Sequence, residues 1–182
     1  MQTAEIAANP GVGWPISRVI SRKTSQLPAT TLAVQSLLIR LAAPMAGYSG
    51  TPLPRKLGLK PNARFGVWSA PAQFSEQLGP LPPGVTLVDA ARGASALNLI
   101  VCFVSSRAEL TRVLARAQKR LEPDGRLWLC GPKKASGIKT DVGESEVRTL
   151  GLASGLVDNK VCAIDEVWSG LRLVVRVRDR PK

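Results

Sequence analysis

The sequence predicts a three-layer α/β sandwich, a mostly parallel sheet that ends in a C-terminal antiparallel hairpin. Three observations carry that expectation. Strand-like and helix-like segments alternate from residue 63 onward. The run "ALNLIVCFV" (96–104) is continuously apolar and rich in β-branched residues, as a central strand covered on both faces must be. Two further apolar segments, "LVDNKVCAIDEVW" and "LRLVVRVR", close the chain with only "SG" between them and read as antiparallel partners.

Taken in order, "ARFGVWSA" (63–70) is the first strand, and "PAQFSEQLG" is a short helix with Pro71 suited to its first turn. "LPPG" is a turn, and "VTLVDA" (85–90) the second strand. After the central strand, Ser106 and Glu109 form the S-x-x-E pattern of a capping box. Leu110, Val113, Leu114, Ala117 and Leu121 then share one helical face, with Arg112, Arg116, Lys119 and Arg120 off it. "EPDG" stops that helix, "GRLWLCG" (125–131) is a strand, and "PKKASGIKTD" a loop. Asp141 is expected to cap a helix around "ESEVRTLGLASG", closed by Gly155.

Composition narrows function. The 182 residues carry 25 Lys+Arg against 13 Asp+Glu, a formal charge of +12. Such a field attracts phosphate-bearing partners, either an anionic small molecule or nucleic acid. Only 4% of residues are aromatic, which argues against a series of base-stacking platforms. Histidine is absent, which removes the commonest general base, the Ser-His and Cys-His nucleophile pairs and most zinc sites. Cys102, Cys130 and Cys162 are isolated within apolar runs and read as reduced core thiols of a cytoplasmic protein. No metal and no cofactor is expected.

Residues 1–44 carry four basic residues and one acid, +3, and the remainder 21 and 12, +9, so the basic excess belongs to the body. "TTLAVQSLLIRLAAP" (30–44) has helical character but is interrupted by Arg40, and it is shorter than the about 20 apolar residues that span a bilayer. No membrane insertion is expected. Residues 1–44 read as a disordered extension or as translation from a start upstream of Met45, residues 45–62 as an N-terminal arm, and residues 63–182 as the domain.

The alternation is Rossmann-like, and "LEPDGRLWL" and the terminal hairpin resemble the corresponding parts of S-adenosylmethionine-dependent methyltransferases. The chain is reduced relative to a full methyltransferase fold, because "AARGASA" between Asp89 and Leu97 leaves no room for a helix and a further strand. A cofactor site in such a fold needs a glycine-rich turn after the first strand and an acid after the second. Here the turn is Trp68-Ser69-Ala70-Pro71-Ala72, without glycine, and only Asp89 stands where the acid belongs. "MAGYSGTPLPRKLGLKP", "LEPDGRLWLCGPKKASG" and "LVDNKVCAIDEVWSGLRLVVR" together resemble a small bacterial family known only as domain of unknown function 3052. The resemblance covers about residues 45–180. It implies a compact Rossmann-like cytoplasmic protein beginning near Met45, and no activity.

Three segments carry candidate binding residues. In the arm, Tyr48, Ser49, Thr51, Arg55 and Lys56 either fold over the carboxyl edge of the sheet to close an anion pocket, or form a strap. In the strap, Pro52 and Pro54 hold an extended path and Leu53, Leu57 and Leu59 pack on the core. In "GPKKASGIK" (131–139), Lys133, Lys134 and Ser136 suit a phosphate, although the P-loop spacing is not met. In the terminal hairpin, Asp158, Lys160, Trp168 and Arg172 serve recognition, with Trp168 lining a pocket, or Trp168 packs down while the charges pair at the surface, and Asp165 and Glu166 face opposite sides of a strand. The leading expectation is a non-enzymatic module binding an anionic ligand through Lys133, Lys134, Ser136, Arg55 and Lys56, with Tyr48, Ser69, Asp89 and Trp168 as pocket lining. The alternatives are an enzyme acting on a nucleotide or adenosyl substrate, with Asp89, Ser69 and Lys134 taking part, and a nucleic-acid binder using the basic helix 106–121.

Overall fold

The computed structural model describes residues 50–181. The expectations for Tyr48, Ser49, the segment 30–44 and the start at Met45 lie outside the described residues. Six strands form one sheet in the order β2-β1-β3-β4-β6-β5. They are β1 (Arg64–Trp68), β2 (Thr86–Asp89), β3 (Leu97–Phe103), β4 (Leu121–Pro132), β5 (Leu156–Ala163) and β6 (Trp168–Val175). The first four run parallel, and β6 and β5 are added antiparallel beyond β4. The predicted class is therefore observed: a three-layer Rossmann-like sandwich closed by an antiparallel hairpin.

The two sheet faces sort their side chains by the strand period of two. On one face Ile100, Cys102, Leu127, Leu129, Leu171 and Leu173 meet α3 (Arg107–Gln118) and α4 (Glu144–Ala153). On the other, Phe65, Leu99, Val101, Phe103, Trp128 and Cys130 meet α1 (Leu53–Leu57) and α2 (Phe74–Leu78). β2 is the outer strand, largely exposed, with Leu87 at 45% exposure. The loop 90–96 returns the chain to β3 without helix or strand, in accordance with the reduction read from the sequence. Among the described residues no helix is long and apolar enough to cross a membrane.

Several local expectations hold, and others give way to a better-placed group. Ser106 Oγ accepts the Glu109 N–H at 3.3 Å, while the Glu109 carboxylate reaches back to the Ser105 N–H at 3.1 Å, one residue earlier than a standard capping box. Asp141 does not cap α4. Its Oδ1 accepts the N–H of Arg107, the first residue of α3, at 2.8 Å. Gly143 stands at the α4 N-cap, where Glu146 accepts its N–H at 2.8 Å. The Glu146 N–H first, then that bond and the Ser145 hydroxyl, hold the Glu146 carboxyl below its ordinary value. The hairpin turns at Ile164–Val167, and Ser169-Gly170 lies inside β6, because Asp165 Oδ1 accepts the N–H groups of Val167 and Trp168 at 2.8 and 2.6 Å. Asp165 and Glu166 thus sit in a turn and not on a strand. In the arm, Leu53, Leu57 and Leu59 are buried as a strap requires, but the path is a helical turn with Pro52 as its N-cap.

The three cysteines are free and buried. Burial pushes the Cys102 and Cys130 thiols far above their ordinary value, and it raises Cys162 too, against the opposing pull of Lys56 and Lys160. A thiol reagent at pH 8 is therefore expected to modify Cys162 first and slowly in the native protein. Cys102 and Cys130 are expected to react only after denaturation. Two or more fast-reacting thiols under native conditions, counted by mass spectrometry, contradict this burial.

Candidate functional site

In an open α/β sheet, ligands bind outside the carboxyl ends of the strands, where the strand order reverses. Here the reversal falls between β1 and β3, because the chain runs outward from β1 to β2 and then returns past β1 to β3. The crevice is thus flanked by Trp68-Ser69 and by Phe103-Val104-Ser105. Trp68 is only 7% exposed and packs with Ala90, Ile100 and Cys102, and the Arg116 guanidinium lies over its ring, 5.0 Å from the centroid. Ser69 follows in a left-handed conformation, φ +52°, which glycine adopts without strain and serine does not. The bend needed at the end of β1 is present, and the indole that precedes it is packed into the core.

Asp89 occupies the predicted place at the end of β2, with its carboxylate committed locally. Oδ1 accepts the Ala91 N–H at 2.7 Å and Oδ2 lies 3.5 Å from Arg92 Nε. The loop that follows is tied to α3. Arg120 donates to the carbonyls of Ala90 and Ser95 at 2.6 and 3.2 Å, and Arg116 to that of Ala91 at 3.3 Å. Two of the four cations on the basic helix therefore hold a loop, leaving Arg112 and Lys119 as that face's contribution to any partner.

The segment after β4 curls across the carboxyl edge. Lys133 donates its N–H to the Val167 carbonyl at 2.7 Å, joining the loop to the β5–β6 turn. At its other end Thr140 Oγ1 donates to the Ser105 carbonyl at 2.6 Å, and Asp141 binds the start of α3. Between these anchors, Lys134–Ser136 form a single 3-10 turn. The Ser136 hydroxyl donates to the Lys133 carbonyl at 2.7 Å and accepts the Ile138 N–H, so it shapes the loop from within. Lys134 and Lys139 are exposed and Lys133 half-buried, and none of the three is in an ion pair among the described residues.

Trp168 opens β6 opposite Pro132 and meets Phe103 edge-on at 5.2 Å, and Phe103 in turn meets Phe74 edge-on at 5.0 Å. It packs down while remaining half-exposed near the Lys133 anchor. Arg55 and Lys56 are elsewhere. The Lys56 carbonyl accepts from Lys160 Nζ at 3.0 Å, and Lys160 pairs through Arg172 with Trp128, four residues before Pro132 on β4. At about 3.3 Å per residue the backbone level of that contact is roughly 13 Å from Pro132. The α1 turn lies over the sheet's face, so its two cations and the loop lysines are separate groups. Sequence reading passed over Arg126, which approaches Arg172, one of the hairpin's recognition candidates, beside Gly58. The available signal was a charged residue inside the apolar strand "GRLWLCG".

These features define a Rossmann-like fold whose switch-point corner carries a buried Trp68 and a locally engaged Asp89. The chain belongs to the family described as protein of unknown function DUF3052, whose pattern matches residues 83–177. No curated protein matches the sequence. Among solved structures it is similar to a candidate type 11 methyltransferase from Sulfolobus solfataricus, with a TM-score of 0.50, 15% identity and coverage of 71% of this chain and 93% of that one. It is similar also to a SAM-dependent methyltransferase from Aquifex aeolicus, at TM-score 0.45 and 14% identity over 67% of this chain and 87% of that one. A further likeness is to the mitomycin 7-O-methyltransferase MmcR, at TM-score 0.49 and 12% identity over 63% of this chain. The chain spans about half the length of that last enzyme, 49%. Likeness at such identities concerns the fold alone.

Proposed function

We propose that this protein is a non-enzymatic binding module for an anionic, phosphate-bearing ligand or partner in the cytoplasm, acting at the carboxyl edge of the sheet through Lys133 and Lys134. The observation that carries this reading is the contrast along one edge. The switch-point corner holds Trp68 under Arg116 and a self-engaged Asp89, whereas the neighbouring loop presents two consecutive lysines without acidic partners on a frame anchored at both ends. Free, buried cysteines suit a reducing compartment. The second reading is an enzyme acting on a nucleotide or adenosyl substrate, favoured by the fold likeness and by the position of Asp89 at the end of β2.

Thermal shift of the full chain separates the readings. The ligands are S-adenosylmethionine, a nucleoside triphosphate, and short DNA and RNA, all at fixed ionic strength. A ligand at a hundred times its Kd stabilises by about 2.7 kcal/mol, a Tm rise of roughly 6–10 °C for a domain of this size. The module reading expects such a rise from a phosphate-bearing ligand and its loss in Lys133→Ala/Lys134→Ala. For nucleic acid, log affinity should fall linearly with log salt, by about 0.9 per phosphate contacted. A rise with S-adenosylmethionine that Asp89→Asn removes without lowering the unliganded Tm supports the enzyme instead.

A further inference from the structure

The opposite edge of the sheet carries a cavity that the carboxyl-edge reading does not touch. It measures about 140 Å³ and is bounded by the α1–β1 connection, the start of β3 and the start of β4. Local sequence explains how it forms. β3 and β4 lose register between Leu97, paired with Leu121, and Leu99, paired with Arg126, so "EPDG" loops out against the single residue Asn98. That bulge carries Asp124 to the cavity wall and sets Arg126 beside it, while Lys60 and Asn62 close the other side.

Polar groups there are arranged for a ligand more than for one another. Asn98 Oδ1 accepts the Arg64 N–H at 2.9 Å, which leaves its NH2 without a protein partner among the described residues. Arg126, Lys60 and Asp124 line one small space, yet none is within ion-pair distance of an opposite charge among the described residues. Across Gly58 stands a second guanidinium. Gly58 is left-handed, φ +82°, and a Cβ there would meet Arg126 Nε at 3.4 Å and Arg172 Nη1 at 3.7 Å. Arg172 has one neutral acceptor, Asn159 Oδ1 at 2.7 Å, and lies over the Trp128 ring at 5.8 Å. Burial first, and Arg126 second, lower its tendency to hold its proton. Two guanidiniums converging on a glycine with no carboxylate between them form an unfavourable arrangement that an anion relieves.

We propose that Arg126, Arg172 and Lys60 bind the phosphate group of a small phosphate monoester at the amino edge, with Asp124 accepting a hydroxyl of the attached group. The guanidinium fork suits a tetrahedral oxyanion, the Asn98 amide adds a neutral donor, and the net charge of the four ionised groups favours the ligand. The cavity is well below the roughly 300–1,000 Å³ of sites for drug-sized ligands, so the class is a sugar phosphate or a similarly short monoester and not a dinucleotide. Arg126 lies six residues before Pro132 on β4, about 20 Å at strand spacing, so this site is independent of Lys133 and Lys134.

The test is calorimetric titration of the full chain with ribose 5-phosphate and with inorganic phosphate, chloride balancing the ionic strength. It is run on wild type, Arg126→Gln, Lys60→Ala and Lys133→Ala/Lys134→Ala. Saturable binding is expected, ribose 5-phosphate tighter than inorganic phosphate. At least a tenfold loss is expected in Arg126→Gln and a threefold or greater loss in Lys60→Ala, and the Arg126-dependent binding is expected to persist in Lys133→Ala/Lys134→Ala. Lys60 is exposed and serves as the second variant should Arg126→Gln fold poorly. No saturable binding to wild type overturns the proposal, as does binding that Arg126→Gln and Lys60→Ala leave intact. Loss confined to Lys133→Ala/Lys134→Ala overturns it too and leaves the carboxyl-edge reading standing.

Discussion

Trp128→Ala is expected to lower the unfolding free energy by about 4 kcal/mol, in the range for emptying a fully buried aromatic site. Denaturant titration should read this as a shift in midpoint at nearly constant slope. Trp128 is fully buried at the centre of β4, and three features are built around it. Its Nε1–H donates to the Leu57 carbonyl at 3.0 Å, satisfying one of the groups that the end of α1 leaves unpaired. Gly170 stands beside it on β6, where a Cβ would come within 3.1 Å of the indole. The Arg172 guanidinium covers the ring. Trp128→Phe separates these contributions. It keeps most of the apolar area and leaves the Leu57 carbonyl unpaired, and an intermediate loss of about 1–2 kcal/mol is expected. A loss below 1 kcal/mol for Trp128→Ala contradicts an arm keyed to the sheet through this residue.

That the arm depends on Trp128 shows where sequence reasoning reached and where it stopped. The apolar run 96–104 and the 3.6-residue spacing of Leu110, Val113, Leu114 and Ala117 announce a central strand and a core-facing helix, because burial there is set by neighbours along the chain. Choices between two competent local partners were not visible. Asp141 and Glu146 are both able to cap α4, and what decides is that Arg107, 34 residues earlier, needs an acceptor. "SG" and "IDEV" both suit a hairpin, and the Asp165 carboxylate decides by gathering two N–H groups. Pro52 and Pro54 fit an extended strap and a helix start equally well, until Leu53 and Leu57 must reach the same face.

Candidate sites follow the same division. Asp89 and Lys133 fall at strand ends, so the sequence placed them by counting. The amino-edge cavity draws Lys60, Asn98 and Arg126 from three segments that meet only through the strand order β1-β3-β4 and the bulge after Leu121. No local pattern encodes that meeting. Arg55 and Lys56 show the opposite case. They are close to the loop lysines in charge and character, but the helical turn shortens the arm and leaves it on the sheet's face.

Trp68→Ala is the variant that asks whether the filled corner is all that separates this chain from a cofactor-binding one. The substitution is expected to cost about 3–4 kcal/mol, from the lost burial and the cavity left between β1, Ala90 and α3, with a further part from the Arg116 stacking, worth roughly 0.5–1 kcal/mol. Even so, S-adenosylmethionine is expected to leave the melting temperature of the variant unchanged. Removing the indole does not supply a glycine-rich turn, since Ala70, Pro71 and Ala72 still follow Ser69 and Pro71 has no N–H to offer a ligand. Nor does it release Asp89, whose carboxylate closes its own turn through Ala91 and Arg92. A Tm rise of several degrees with S-adenosylmethionine in Trp68→Ala, absent in wild type, would mean that the remaining parts of a cofactor site are in place beneath the ring. Trp68 would then be a plug and not a replacement. No response, together with partial recovery of stability on adding indole, would mean that the corner has become core.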